Sequence, residues 1–213
     1  MYSHKKEVVT GGKPLTATGK ALIMIHGRGA TAHSILSLSE HLNVPDFSLF
    51  APQATQHSWY PYSFMAPVAQ NQPALDSALE QLTNLVQHIQ EQGVSSKNIY
   101  LLGFSQGACL TAEFATRNAR QFGGLLIFTG GLIGPQIDLS NYTGDFAGTP
   151  VFISSGDPDP HVPLSRVAET AKIMAEKGAV VTEKIYKGRP HTILPEEINL
   201  AKEILTHSGG STL

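Results

Sequence analysis

Residues 99–118 read IYLLGFSQGACLTAEFATRN and are the most informative part of the chain. The mostly apolar residues 99–104 are typical of a strand covered on both faces, and a helical pattern follows at once. Between the two, Ser105 is flanked by Gly103 and Gly107, which gives the pattern G-x-S-x-G. Such a stretch is either an ordinary tight turn or a strained turn that presents a reactive hydroxyl.

Other short apolar runs predict further strands. They lie at 21–25, 47–50, 125–128 and 151–154, and a more charged run at 180–186 predicts a strand nearer the sheet edge. The runs are continuous rather than alternating, so both faces of the sheet are expected to be covered.

Helical periodicity separates these strands. Apolar residues recur at three- and four-residue spacings over 75–89 and 164–175, and a last helix is predicted over 195–206. Alternating strands and helices predict an α/β fold with a mostly parallel sheet covered by helices on both faces. We expect residues 1–213 to form a single three-layer domain, with residues 207–213 as a flexible tail.

The composition argues against nucleic-acid-binding, disulfide-stabilised, membrane-spanning and metal-dependent proteins. The net charge is −2, and there is no basic patch of the kind that nucleic-acid binding usually needs. The single cysteine, Cys109, excludes an internal disulfide, and its helical position predicts a core residue. The run at 21–25 is too short for a signal peptide or a membrane span, so we expect a cytoplasmic protein without stable membrane association. Nine histidines occur without a zinc-type spacing, so neither a metal nor an organic cofactor is predicted.

Residues with the chemistry of nucleophilic catalysis each follow a predicted strand. These are Ser105, the pair Asp157 and Asp159, and His191. The carboxyl ends of parallel strands meet at one edge of a sheet, so these side chains are expected to lie together. A serine hydroxyl needs a histidine to take its proton, and the histidine needs an acceptor to fix its tautomer. The chain order Ser…Asp…His is that of α/β-hydrolases, but the residues alone leave both aspartates open.

A glycine-rich loop ends the first strong strand, in IMIHGRGAT at 23–31. We predict that the backbone amides of Arg28 and Gln106 form an oxyanion hole beside Ser105. The alternative is a phosphate-binding loop, but the glycine spacings of such loops are missing. His26 is expected to tie the loop down rather than to act as a second base.

Four motifs resemble the carboxylesterase/phospholipase family of α/β-hydrolases, which includes the acyl-protein thioesterases. They are H-G-x-G at 26–29, GFSQGA at 103–108, D-P-H-V-P at 159–163 and G-R-P-H at 188–191. The resemblance covers most of the chain and implies an α/β-hydrolase fold. It implies that the aspartate directly before P-x-V-P is the catalytic acid, which selects Asp159. It likewise implies Ser105 as nucleophile, His191 as base, and the amides of Arg28 and Gln106 as oxyanion donors.

The chain also departs from the eukaryotic thioesterase members of that family. Where they tend to carry H-G-L-G-D, this chain has HGRGA, which places a positive charge at Arg28. Its SWYPYSFMAP at 58–67 differs from their motif after Trp59. The chain looks closer to small bacterial esterases, so protein-lipid substrates are less expected.

An aromatic-rich loop at 52–72 follows the predicted strand at 47–50 and is therefore expected at the edge of the sheet that carries Ser105. It is predicted to form a substrate wall, with packing into the core as the alternative. The Arg28 side chain either favours a substrate with a negative group or is held in a surface salt bridge. The candidate substrate-binding residues are Trp59, Tyr60, Tyr62, Phe64 and Met65.

These observations predict a serine carboxylesterase that cleaves esters of small to medium apolar acyl groups, with thioesters as a further substrate class. The expected partner is a small-molecule ester. One alternative is a lysophospholipase or a dienelactone-hydrolase-like enzyme on the same fold; another is a non-catalytic binding protein that kept the fold. The apolar loops suit a homodimer as well as a lid.

Overall fold

A central seven-stranded sheet organises the computed structural model, which describes residues 2–206. The strands are β1 (Val8–Gly12), β2 (Ala21–Ile25), β3 (Ser48–Pro52), β4 (Ile99–Phe104), β5 (Asn118–Ala119), β6 (Gly124–Phe128), β7 (Thr143–Gly144), β8 (Pro150–Asp157) and β9 (Val180–Lys187). Their order in the central sheet is β1-β3-β2-β4-β6-β8-β9, and among these described strands β1 alone runs antiparallel to its neighbour. The two short strands β5 and β7 form a separate pair.

Helices connect the strands and cover the sheet. Three of the predicted helices, Ala74–Glu91, Leu164–Glu176 and Pro195–Thr206, begin and end within two residues of the sequence-based expectation. Single 3₁₀ turns add to them at Thr55–His57, Ser96–Asn98 and Leu139–Asn141. The helices are α1 (Leu15–Thr18), α2 (Ala32–Leu36), α3 (Ser39–Leu42), α4 (Val68–Asn71), α5 (Ala74–Glu91), α6 (Gln106–Arg117), α7 (Leu164–Glu176) and α8 (Pro195–Thr206).

The core lies on both faces of the sheet, as the continuous apolar runs predict. Successive strand residues point to opposite faces. Thus Leu101 belongs to the apolar cluster beneath α5, α6 and α7, whereas Leu102 belongs to the cluster beneath α2, α3 and α8. Every residue of β2 and β6 is buried. The predicted α/β class with a mostly parallel sheet is confirmed.

The edges of the sheet carry its least apolar strands. The prediction of an edge position for the charged strand β9 is confirmed, since β9 pairs only with β8 among the described strands. Strand β1 at the other edge was not predicted. Within residues 2–206 no helix is long and apolar enough to cross a lipid bilayer. The predicted tail at 207–213 lies outside the described residues.

Candidate active site

Ser105 lies in the turn between β4 and α6, and its backbone is strained. Its φ is 55° and its ψ is −119°, a region that L-residues rarely occupy. The flanking glycines make this turn possible. A Cβ at Gly103 would lie 2.3 Å from the carbonyl oxygen of Gly107, and a Cβ at Gly107 would lie 2.1 Å from that of Ile25. The turn is therefore the strained kind that lifts a side chain above the sheet edge.

One chain of hydrogen bonds joins the three side chains that the sequence singled out. The Nε2 atom of His191 is 2.8 Å from the hydroxyl oxygen of Ser105. Its Nδ1 atom is 2.8 Å from Oδ2 of Asp159. A carboxylate accepts hydrogen bonds, so Nδ1 carries the proton and Nε2 is left as the acceptor. In this tautomer the imidazole is ready to take a proton from the serine.

Asp159 is held by its own loop. Its side chain is fully buried, and Oδ1 accepts hydrogen bonds from the amides of His161 at 2.9 Å and Val162 at 3.0 Å. Burial acts to raise the pKa of this carboxyl, but the bonds from His191 and the two amides outweigh it, so the pKa is lowered. Asp157, at the end of β8, is not the aspartate that contacts the imidazole.

The carboxylate of Glu197 binds the loop that carries His191 at two points, one before and one after the histidine. Two residues before His191, Arg189 donates to Oε1 of Glu197 at 2.6 Å. Three residues after it, the amide of Leu194 donates to Oε2 of Glu197 at 2.7 Å. Both charged side chains are almost completely buried, and Ser154 of β8 also donates to Oε1, at 2.5 Å. This ion pair was not predicted, although the signal in the sequence is an arginine two residues before the histidine and a glutamate six residues after it.

The two predicted oxyanion donors border the same cavity as Ser105. Arg28 and Gln106 both line it, and a Cβ at Gly27 would lie only 3.4 Å from that of Ser105, so the glycine loop approaches the nucleophile closely. In the described part of the chain, neither the amide of Arg28 nor that of Gln106 has a hydrogen-bond acceptor. Both amides are thus available to an oxygen placed next to Ser105.

His26 fixes the glycine loop from below. Its Nδ1 is 2.7 Å from the carbonyl oxygen of Gly27, and its Nε2 accepts from the amide of Ala54 at 3.1 Å. The ring is fully buried, and this burial lowers its pKa. His26 is therefore neutral and structural, in agreement with the sequence-based expectation.

The cavity beside Ser105 has a volume of about 580 Å³, within the usual range of small-molecule sites. Three of the five predicted wall residues line it, and two do not. Trp59 is fully buried, and its indole N–H is satisfied by the carbonyl oxygen of His26 at 2.8 Å. Met65 packs against the core instead of the cavity. The aromatic residues that line the cavity are Tyr60, Tyr62, Phe64 and Phe104.

Two further side chains at the cavity have roles other than chemistry. The guanidinium of Arg28 donates to three neutral oxygens of the aromatic loop, and none of the ion pairs among the described residues includes it, so the salt-bridge alternative is wrong. Cys109 is buried at the cavity floor, and its burial raises the pKa of the thiol to about 12, which makes a thiolate nucleophile unavailable at neutral pH. Among residues 2–206, no group of three or more His, Cys, Asp or Glu side chains is placed to hold a metal ion.

Comparison with known proteins places the chain in a family. The family model described as Phospholipase/Carboxylesterase matches residues 4–208. The chain belongs to this family. A crystal structure of a phospholipase/carboxylesterase from Dyadobacter fermentans shares 54% sequence identity, covers 96% of this chain and 98% of its own, and superposes with a TM-score of 0.94. The predictions of the family and of the α/β-hydrolase fold are confirmed.

More distant relatives extend the comparison. Acyl-protein thioesterase 1 from Kluyveromyces lactis is 27% identical over 198 residues, which are 83% of this chain and 86% of the relative. The crystal structure of esterase PE8 is 19% identical, covers 96% of this chain and 98% of its own, and has a TM-score of 0.79, so it supports the fold alone. Membership of the phospholipase/carboxylesterase family marks the chain as a hydrolase of carboxylic esters.

Proposed function

We propose that this protein is a serine carboxylesterase in which Ser105 is the nucleophile, His191 the base and Asp159 the acid. The observation that carries the proposal is the pair of 2.8 Å hydrogen bonds that links the three side chains in this order. Membership of the phospholipase/carboxylesterase family supports the same reaction class.

The reaction follows from this arrangement. Ser105 attacks the carbonyl carbon of the ester while His191 takes the hydroxyl proton at Nε2. The amides of Arg28 and Gln106 donate to the oxygen that becomes negative. Loss of one such donor typically costs about 10²–10³ in rate. His191 then gives the proton to the leaving alcohol, and an acyl-enzyme on Ser105 remains.

Water completes the cycle. It attacks the acyl-enzyme with His191 again acting as base, and the carboxylic acid leaves with Ser105 restored. Asp159 stays ionised throughout and stabilises the imidazolium, which agrees with its lowered pKa. Each of these steps uses groups of the chain and water.

The cavity favours small to medium apolar acyl groups. Its aromatic lining gives apolar area, and the volume of about 580 Å³ suits a compact substrate. Thioesters are a second substrate class, in line with the thioesterase relative from Kluyveromyces lactis. The same oxyanion hole serves both, because each reaction passes through a tetrahedral oxyanion.

A panel of p-nitrophenyl esters and acyl-CoAs tests the proposal. We expect wild-type protein to hydrolyse short and medium p-nitrophenyl esters, and Ser105→Ala to lower kcat by about 10⁴ or more while the fold is retained. Folded wild-type protein that hydrolyses no member of the panel would refute the proposal and favour a binding protein on this fold.

A further inference from the structure

The part of the aromatic loop that borders the cavity is held by side chains from elsewhere in the chain. This part, residues 58–63, is called the wall segment here, and it contains no helix or strand. Trp59 and Tyr60 are buried, whereas residues 61–63 are exposed. Buried backbone groups outside regular structure need other partners, and exposed ones can bond to water unless a side chain holds them. The partners found in the structure therefore show what fixes the wall segment in place.

Arg28 holds the middle of the wall segment. Its Nη1 donates to the hydroxyl of Ser58 at 2.8 Å and to the carbonyl oxygen of Pro61 at 2.9 Å. Its Nη2 donates to the carbonyl oxygen of Tyr62 at 2.7 Å. One planar guanidinium thus spans three acceptors, which a lysine ammonium on its flexible stem does not match.

Gln106 holds the beginning of the same segment. Its Oε1 accepts from the amide of Trp59 at 2.9 Å, and its Nε2 donates to the carbonyl oxygen of Tyr60 at 2.8 Å. The amide side chain is therefore paired on both its oxygen and its nitrogen, and it is buried. Because its oxygen and its nitrogen are both bonded, the side chain of Gln106 fixes the position of the backbone at Trp59 and Tyr60.

Asn71 holds the far end. Its Oδ1 accepts from the amide of Tyr62 and its Nδ2 donates to the carbonyl oxygen of Ser63, each at 2.9 Å. Asn71 is fully buried as the last residue of α4. With this third support the wall segment is anchored along its whole length.

We infer that the side chains of Arg28 and Gln106 position the wall segment against the oxyanion hole, so that it is a fixed wall that limits acyl size and not a lid. The inference rests on the proposed function, in which the amides of these same two residues bind the oxyanion. Each residue thereby contacts the wall of the acyl pocket through its side chain and the oxyanion through its backbone amide. The segment contributes Tyr60 and Tyr62 to the cavity lining, so its position sets the space left for the acyl group.

Hydrogen exchange tests whether the wall is fixed. In wild-type protein the amides of Trp59 and Tyr62 are expected to exchange slowly. In Arg28→Lys, which keeps the charge, and in Gln106→Met, exchange over residues 58–63 is expected to rise about tenfold or more, the effect of losing one to two net hydrogen bonds. Fast exchange of both amides in wild-type protein would overturn the inference, because the segment would then be a lid.

The matched control is Arg120→Lys. Arg120 follows the opposite end of α6 from Ser105, and its Nε donates to a backbone carbonyl, that of Asn118. A helix of this length places it about 18 Å away along the axis. Exchange over the wall segment is expected to stay at the wild-type rate in this variant. An equal rise there would mean general loosening and would overturn the inference.

A chain-length series tests the link to specificity. For p-nitrophenyl acetate, butyrate, hexanoate and octanoate, the ratios of kcat/KM between esters are expected to change at least about fivefold in Arg28→Lys and Gln106→Met, mainly through KM. Unchanged ratios together with a lowered Tm would show a purely structural role and overturn the inference. The exchange measurement needs no substrate, so it tests the fixed wall even where the ester panel fails and the proposed function falls.

Discussion

Replacing Asp159 by asparagine separates the two aspartates that the sequence left open, and the loop geometry fixes what the new side chain does. Oδ1 of Asp159 accepts from the amides of His161 and Val162. An asparagine must place its oxygen there, because the reverse orientation would leave two N–H groups facing an NH₂ group at a cost of about 1–3 kcal/mol each. Its NH₂ group therefore faces Nδ1 of His191.

The consequence is a histidine in the wrong tautomer. Nδ1 must then accept a hydrogen bond, so the ring proton moves to Nε2, which no longer accepts the proton of Ser105. In a serine triad this change lowers kcat by about 10⁴, equal to roughly 5.5 kcal/mol of transition-state stabilisation. Steady-state kinetics with p-nitrophenyl butyrate measures the loss, and circular dichroism checks the fold.

The matched control is Asp157→Asn at the end of β8, two residues before Asp159. Only the backbone carbonyl of Asp157 bonds to the His191 loop, accepting from the amide of Gly188 at 2.9 Å; among the described residues its side chain makes no hydrogen bond to that loop. We therefore expect the kcat of Asp157→Asn to stay within about threefold of wild type. A loss of activity in Asp157→Asn as large as that in Asp159→Asn would refute the reasoning. So would an Asp159→Asn protein that keeps a tenth or more of the wild-type kcat.

Two other predictions concern stability. Glu197→Gln leaves the buried guanidinium of Arg189 without its counter-charge, so we expect the free energy of unfolding in urea to fall by about 3–5 kcal/mol; a fall below about 1 kcal/mol would contradict the role assigned to this ion pair. Burial lowers the pKa of both His4 and His26 in the folded protein, so the unfolded state takes up protons more readily. The contribution of these histidines to the free energy of unfolding is therefore complete above about pH 6.5, the pKa of a free histidine, and is lost as the pH falls below that value. Calorimetry should show a lower Tm at pH 5.5 than at pH 7.5, and His26→Gln should reduce that difference, whereas a flat profile would count against buried neutral histidines.

The sequence predicted the central strands and long helices well because burial on both faces and helical amphipathicity leave strong local patterns. It missed β1, a five-residue strand that ends in two glycines and lies at the sheet edge. It also missed α2 and α3, which have five and four residues, because a single helical turn has too few apolar positions to show a period.

The candidate site was predictable where chemistry fixes the residue type. Ser105 and His191 stood out through motif and chain order, whereas the choice of Asp159 needed the family resemblance. Trp59 was assigned wrongly because its hydrogen-bond acceptor, the carbonyl oxygen of His26, belongs to a distant loop. Glu197 was overlooked because a glutamate in the first turn of α8 is also what the helix dipole favours at the surface.

The central claim is that His191 makes the hydroxyl of Ser105 an unusually reactive nucleophile. Treatment with a fluorophosphonate probe, followed by intact mass measurement and peptide mapping, tests it most directly. We predict one adduct per chain, located on Ser105, that is absent from Ser105→Ala and forms far more slowly in His191→Ala. Folded wild-type protein that takes up no probe, or takes it up at another residue, would contradict the claim.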